Sequence, residues 1–437
     1  MTGASAVRRT TTTVVIVAAL AATIAVSACS PAAPPATPLA SSAPTGDGVD
    51  LTALDTGTYA TVPSRPLPTA GGDKHTQRLL ESQRMGGVIT TPWEVNPDLV
   101  LIGTEFDVIA TGSITNAEQL RDVLPEGLPA VADRNGYLAG FSTYRLAPAE
   151  GNKTPPRFWS LQNVLMRFPD DATAAAAAAE MAAAYPAPFG ALGPRRETPR
   201  VLRMHPDAVA LGYDLKDGET AVASFTPYKS HVLHQYAIRA PDPPLGLSAE
   251  KLVYSALTSQ KRALDTFSPT PIDQLPDLPL DPSGWLLART LNNPTGGVPA
   301  MIGVWPAKAW LNFEENPPVA SSMLTEAGVD WVGQRLATVY RTRNAATAET
   351  MLKTVVDGMR TTRYAEPTAP VPGLPRARCF GRANLEEYMN SAQSWQRLLW
   401  RYKCAAAVDR FVFTVYAGDG KDAQQRISAQ YRILAGR

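Results

Sequence analysis

"NVLMRFPDDATAAAAAAEMAA", Asn163 to Ala183, and "ATVYRTRNAATAETMLKTVV", Ala337 to Val356, are one pattern written twice, 174 residues apart. Each opens on an alternating apolar and β-branched run, Val164 to Phe168 and Thr338 to Thr342. Each then turns through a few polar residues into an Ala-rich stretch beginning near Ala172 and Ala346. A period of two followed by strong helix formers reads as a strand leading into a helix. Ala172-Thr173-Ala174 falls on Ala346-Thr347-Ala348 without a gap, which a merely shared order of elements does not require.

The likeness continues downstream at a slightly different offset. "SHVLHQYAI" (Ser230 to Ile238) resembles "DRFVFTVYA" (Asp409 to Ala417), both alternating as strands, and each precedes a helical stretch, Ser248 to Leu264 and Asp422 to Leu434. Weaker strands lie between, around Val201 to Met204 and Ala221 to Phe225 in the first copy, Arg376 to Phe380 and Tyr402 to Ala406 in the second. The expected fold is α+β: two related repeats, each a mostly antiparallel sheet with helices on one face. Ahead of the first repeat, "TPWEVNPDLV" (Thr91 to Val100) reads as a loop, "TNAEQLRDVLP" (Thr115 to Pro125) as an N-capped helix and "GYLAGFSTYRLA" (Gly136 to Ala147) as a strand. Ahead of the second, "MIGVWPAKAWLNF" (Met301 to Phe313) is strand-like and "VASSMLTEAGV" (Val319 to Val329) helical. The Pro-rich run 268–282 is the natural linker, separating a first repeat with an N-terminal extension (51–267) from a second (283–437).

The N-terminus carries an address. Arg8 and Arg9 precede an almost unbroken apolar run, Val14 to Ala28, the layout of an export signal over residues 1–28. Val26-Ser27-Ala28-Cys29 resembles the lipobox of bacterial lipoproteins, in which the thiol is acylated and becomes the new N-terminus. An ordinary secreted form or an uncleaved anchor are the alternatives. Residues 29–50 are rich in Pro, Ala, Ser and Thr, a composition that buries no core and forms an extended tether, glycosylated or bare.

Without residues 1–28 the chain keeps 39 basic residues against 40 acidic ones, so it lacks the basic footprint of a nucleic-acid binder. The two cysteines beyond Cys29 are Cys379 and Cys404, an even pair that in an oxidising compartment reads as a disulfide. Four histidines without metal spacing predict no metal centre and no cofactor. His231 and His234 sit three apart on a strand and point to opposite faces, one expected at the surface and one at the core edge. His75 and His205 are expected at the surface.

No catalytic signature is found. "LDTG" (Leu54 to Gly57) is the tripeptide of aspartic proteases, but their chemistry needs a second such loop and the chain has none, so Asp55 reads as a turn cap. Nucleophile-elbow, P-loop and dinucleotide fingerprints are missing, and "FGALGP" (Phe189 to Pro194) reads as a Gly/Pro-rich connector or a lid. Trp305 and Trp310 are candidates for the wall of an apolar ligand groove at the junction of the repeats, with a core role as the alternative.

The lipobox, "LDTGTYATVPSRP" (Leu54 to Pro66), "PWEVNP", "GYLAGFS" and the Ala-rich helix after "RFPD" together resemble a family of two-repeat lipoproteins of mycobacteria and related actinobacteria. The resemblance implies a lipid-anchored protein at the extracytoplasmic face of the cell membrane; it carries over no catalytic residue. A fainter likeness, in compartment and α+β style, is to the extracellular sensor domains of mycobacterial serine/threonine kinases, which implies ligand sensing. The expected role is therefore non-catalytic binding of a small or lipidic envelope ligand, with a protein-interaction role or an envelope hydrolase as alternatives.

Overall fold

The computed structural model describes residues 48–102, 110–147, 159–240, 247–292, 301–383 and 400–436, so the export signal, Cys29 and nearly all of the tether lie outside the described residues. In the first half the chain runs α1 (Lys74–Gly86), α2 (Pro92–Val95), β1 (Gly112–Ile114), α3 (Leu128–Arg134), β2 (Ala139–Leu146), β3 (Ser160–Arg167), α4 (Asp171–Ala184), β4 (Ala191–Glu197), α5 (Pro199–Met204), β5 (Val209–Leu215), β6 (Thr220–Tyr228), β7 (His231–Arg239) and α6 (Ala249–Asp265). The second half repeats it: β8 (Gly303–Pro306), α7 (Ala307–Trp310), α8 (Pro317–Ala327), β9 (Trp331–Gln334), β10 (Ala337–Arg341), α9 (Ala345–Thr361), β11 (Ala365–Pro367), β12 (Arg378–Arg382), β13 (Tyr402–Val408), β14 (Phe411–Ala417) and α10 (Gly420–Ala435).

Both sheets are seven-stranded and antiparallel, and their strand orders coincide. The first is β1-β2-β3-β7-β6-β5-β4 and the second β8-β9-β10-β14-β13-β12-β11. The duplication reaches the capping chemistry. Asp170 accepts from the Thr173 N–H while Thr173 Oγ1 accepts from the Asp170 N–H; Asn344 and Thr347 do the same at α9. Each such reciprocal cap stabilises its helix by about 1 kcal/mol. The β6–β7 and β13–β14 hairpins turn through two residues each, and the first of these, Lys229 or Asp409, holds a left-handed φ of 51° or 49°.

Those turns align Lys229 with Asp409, one residue away from the register that the sequence suggests. The period of two makes that slip matter, because it exchanges the faces of the strand. Other expectations are also revised. Val201 to Met204 belongs to α5, opened by Pro199, and the strand in that place is β5. "FGALGP" leads into β4, Met301 to Phe313 is strand only to Pro306 and then helical, and the expected helix at Thr115 to Pro125 is a 3₁₀ turn at Glu118–Asp122. Thr91 to Val100 holds the short α2, with Pro92 at its start.

Helices cover both faces of each sheet, where the sequence led us to expect one. In the first half α4 packs on the side of Val164, Met166, Ala221, Ala223 and Phe225, and α6 on the side of Leu161, Leu165, Val222, Leu233 and Ala237. In the second, α10 shares a core with Ala337, Val339, Phe411, Phe413 and Val415, while α9 lies with Val332, Tyr340, Ala405 and Val412. The α6 side of the first sheet and the α9 side of the second belong to one continuous core. The N-terminal stretch from Val49 to Tyr59 packs on the second half: Leu54 joins its core, Asp50 N–H donates to Gly373 O, and Tyr59 Oη donates to Asp422 at 2.6 Å.

Candidate functional site

Trp305 and Trp310 are wholly buried at the meeting of the halves. Trp305 stands edge-on to Phe313 at 4.9 Å and to Phe141 of the first half at 6.1 Å, and Trp310 packs on Phe313 at 5.3 Å. Their indole N–H groups donate to Met301 O at 2.8 Å and Glu314 Oε1 at 2.5 Å. Trp305 thus packs across the two halves, and neither tryptophan lines a described cavity.

The cavity at this junction lies on the other side of β8. Val304 and Pro306, alternating with Trp305, face a cleft of about 430 Å³ shared with Trp331 of β9. The first half supplies Leu80, Gln83, Arg84, Gly87 and Val88 from the end of α1, together with Phe267 beyond α6. Leu278, Pro279 and Pro282 close it from the linker. Strand alternation therefore decided which residues of the Trp-bearing segment face the cleft.

The walls are held in place by several contacts. Asp73 caps α1, accepting from the His75 N–H at 3.1 Å. Near its end α1 presses on the first sheet at Gly86, where a Cβ would lie 2.8 Å from the Phe141 ring, so glycine permits the approach. Gln83 Nε2 donates to Ile302 O at 2.8 Å, joining α1 to the strand across the cleft. The linker wall is pinned by Ala70 N–H to Leu278 O at 2.8 Å and Gly71 N–H to Pro276 O at 2.9 Å. Prolines 279, 282 and 306 present no backbone N–H, which keeps that rim apolar.

Beneath the cleft runs a buried ion cluster. Glu81 accepts from Arg167 at 2.6 Å and from Arg84 at 2.8 Å, and also from the backbone N–H and hydroxyl of Thr270. Arg167 donates on to Thr270 O at 2.5 Å, and Arg84 to the Thr270 hydroxyl and to Ser268 O. Burial holds the Arg167 guanidinium below its ordinary pKa, opposed by the charge of Glu81. The cluster fastens the start of the linker to α1 and β3. A second, smaller cavity of about 290 Å³ lies between Trp93 and Glu94 of the first half and α7 and α8 of the second.

The other singled-out residues have structural places. Asp55 accepts from the Gly57 N–H at 2.9 Å and from Gln425 at 2.8 Å, a turn tied to α10. His234 is buried, stacked on Phe225 at 4.5 Å and bonded to Ser224 O; His231 is buried on the opposite face beside Phe267. Neither is a surface residue, and burial lowers each to about 4. His205 is also buried, bonded to the Thr258 hydroxyl, while His75 is exposed. Among the described residues no group of His, Cys, Asp or Glu is arranged to hold a metal ion, and no helix is long and apolar enough to cross a membrane. Cys379 and Cys404 face each other across β12 and β13 and form a disulfide. Arg84, Gln83 and Leu80 carried no motif in the sequence.

Residues 68–280 match the N-terminal part, and residues 286–437 the C-terminal part, of a family described as a domain of unknown function, DUF7373. No curated protein matches the chain. Among solved structures, the extracellular domain of PknH from Mycobacterium tuberculosis is similar at 10% identity and a TM-score of 0.27, with 42% of this chain and 96% of that chain covered.

Proposed function

The chain belongs to the DUF7373 family through both of its halves, and from that premise we propose that it is a non-catalytic binding protein whose ligand occupies the cleft between them. The observation that carries this reading is the cleft itself. It draws lining from both halves and the linker, its volume falls in the range of small-ligand sites, and its wall is apolar with two polar side chains, Gln83 and Arg84. Neither side chain is a nucleophile or a general base, which favours binding over hydrolysis. The protein sits at the extracytoplasmic face of a membrane, tethered by an acyl group on Cys29. The apolar run before that cysteine supports the anchor, and the disulfide supports an oxidising compartment.

The test is native mass spectrometry, with solvent extraction, of protein purified from its own envelope. A co-purifying small molecule is expected, and Leu278→Trp, which fills the cleft, should abolish it while unfolding stays cooperative. An unliganded wild type, or a ligand retained by the filled variant, would place the function elsewhere. A protein-interaction role is favoured by one feature: Phe189 is fully exposed beside β4, whose outer edge pairs with no strand among the described residues. Such an edge can accept an added strand.

A further inference from the structure

We infer that the cleft takes a single-chain amphiphile with an anionic head, the head seated on Arg84. This rests on the cleft being the ligand site and adds the chemistry of its occupant. Three observations support it. The ion cluster below the cleft holds two guanidinium groups and one carboxylate, Glu81, and no other acidic side chain among the described residues pairs with either arginine. One positive charge is therefore left over.

That charge is presented at the cleft and not in the interior. Arg167 is nearly inaccessible, whereas the Arg84 side chain is 39% exposed and lines the cleft over Phe267, its guanidinium carbon 5.3 Å from the ring centre. The bonds of Arg84 to Glu81, Thr270 and Ser268 use one Nη2 and both Nη1 hydrogens, so Nε–H and an Nη2–H remain among the described contacts. Two neighbouring guanidinium donors suit an oxyanion. The third observation is the remainder of the wall: Leu80, Val88, Phe267, Leu278, Val304, Trp331 and the prolines offer hydrocarbon to a tail. The volume, about 430 Å³, lies toward the small end of ligand sites and suits one chain better than two.

Laurate and dodecanol share a tail and differ in the head, so calorimetric titration of both into the delipidated full chain separates the two ideas. Laurate should bind about tenfold or more tightly than dodecanol, a ratio expected of one charge-assisted contact. That advantage should shrink as salt rises. It should vanish in Arg84→Gln and persist in Arg84→Lys. Glu81 keeps Arg167 and Thr270 in both variants, and the salt series on the wild type tests the idea without any variant. Equal, salt-independent binding of the two probes would overturn the anionic head and leave the cleft reading standing, as would an Arg84→Gln protein that keeps the preference. If neither probe binds, the amphiphile inference fails, while the cleft reading is still decided by the co-purified ligand and its loss in Leu278→Trp.

Discussion

The two halves share every strand, yet one equivalent sheet face is apolar in one half and interrupted by buried polar residues in the other. Counting from the matched hairpin turns, Asn163, Ser224, Thr226, His231 and Gln235 of the first half stand where the second has Ala337, Cys404, Ala406, Phe411 and Val415. In the second half this face lies under α10 and is apolar. In the first it lies under α6 and sets these five polar residues among Leu161, Leu165, Val222, Leu233 and Ala237, and all four histidines of the chain are in that half, while both cysteines beyond Cys29 are in the other. What stays constant is the hydrogen bonding that ends elements: the two Thr caps, the two left-handed turns and a pair of glutamine clamps. Gln260 on α6 accepts from Thr90 N–H and donates to Val88 O; Gln430 on α10 accepts from Leu291 N–H and donates to Arg289 O. Topology is thus kept by specific bonds at boundaries, where an unpaired buried backbone group is costly, while interior packing is free to diverge.

The comparison can be broken in four places. The largest effect is expected at the seam that the halves share: Trp305→Ala opens a cavity against Phe141 and Phe313 and should cost about 3–5 kcal/mol. Denaturant titration should then show the halves unfolding in separate steps; one unshifted step would mean that the seam does not couple them.

Next comes the disulfide. Ala210 pairs with Ser224 in the first sheet where Cys379 pairs with Cys404 in the second, so Cys379→Ala with Cys404→Ser gives the second half the first half's pair. Releasing a bond between residues 25 apart should cost about 3.5 kcal/mol by loop entropy. Hydrogen exchange should report the loss mainly in β12 to β14, and an even loss across both sheets would count against local stapling.

The glutamine clamps should be interchangeable in cost. Gln260→Ala and Gln430→Ala each leave a buried amide without its acceptor, at about 1–3 kcal/mol, and thermal melts differing by more than that range would show that the two clamps carry different loads.

The smallest effect, per pH unit, is acid sensitivity of the first half. His231 and His234 are held near 4 by burial, below the ordinary 6.5, so the unfolded chain binds more protons between those values. The stability that their neutral forms contribute is complete above about pH 6.5 and is lost as pH falls toward 4, at up to about 1.4 kcal/mol per unit for each histidine. His231→Phe, the second half's residue, should remove one proton from that slope, measured as ΔG of unfolding from pH 7 to 4.5. An unchanged slope would mean that His231 is not the buried titrating group.

Much of the fold was legible. Val164 to Phe168 and Thr338 to Thr342 announced strands, the Ala-rich runs announced α4 and α9, and the cysteine pair announced a disulfide. Reading failed where local pattern was short or ambiguous. Val201 to Met204 is apolar enough for a strand, but Pro199 starts a helix there; Met301 to Phe313 is apolar throughout because both its strand and its helix are buried. The one-residue register error between Ser230 and Asp409 followed from aligning apolar residues without the turn that sets register. Of the proposed cleft, the sequence offered only its neighbourhood. A cavity does lie at the junction of the halves, beside the strand that carries Trp305, yet the tryptophans themselves turn inward and Val304 and Pro306 face it.

By itself the sequence determined the duplication, the α+β class and the pairing of Cys379 with Cys404, because these depend on periodicity, composition and counting along the chain. Only the tertiary structure decided that the α6 side of one sheet meets the α9 side of the other, that Val49 to Tyr59 packs on the second half, and that Arg84 lines the cleft with surplus charge from a buried cluster. Each of these joins residues far apart in the chain, Glu81 with Thr270 or Asp55 with Gln425, and no local pattern encodes which of two covered faces a distant segment will meet.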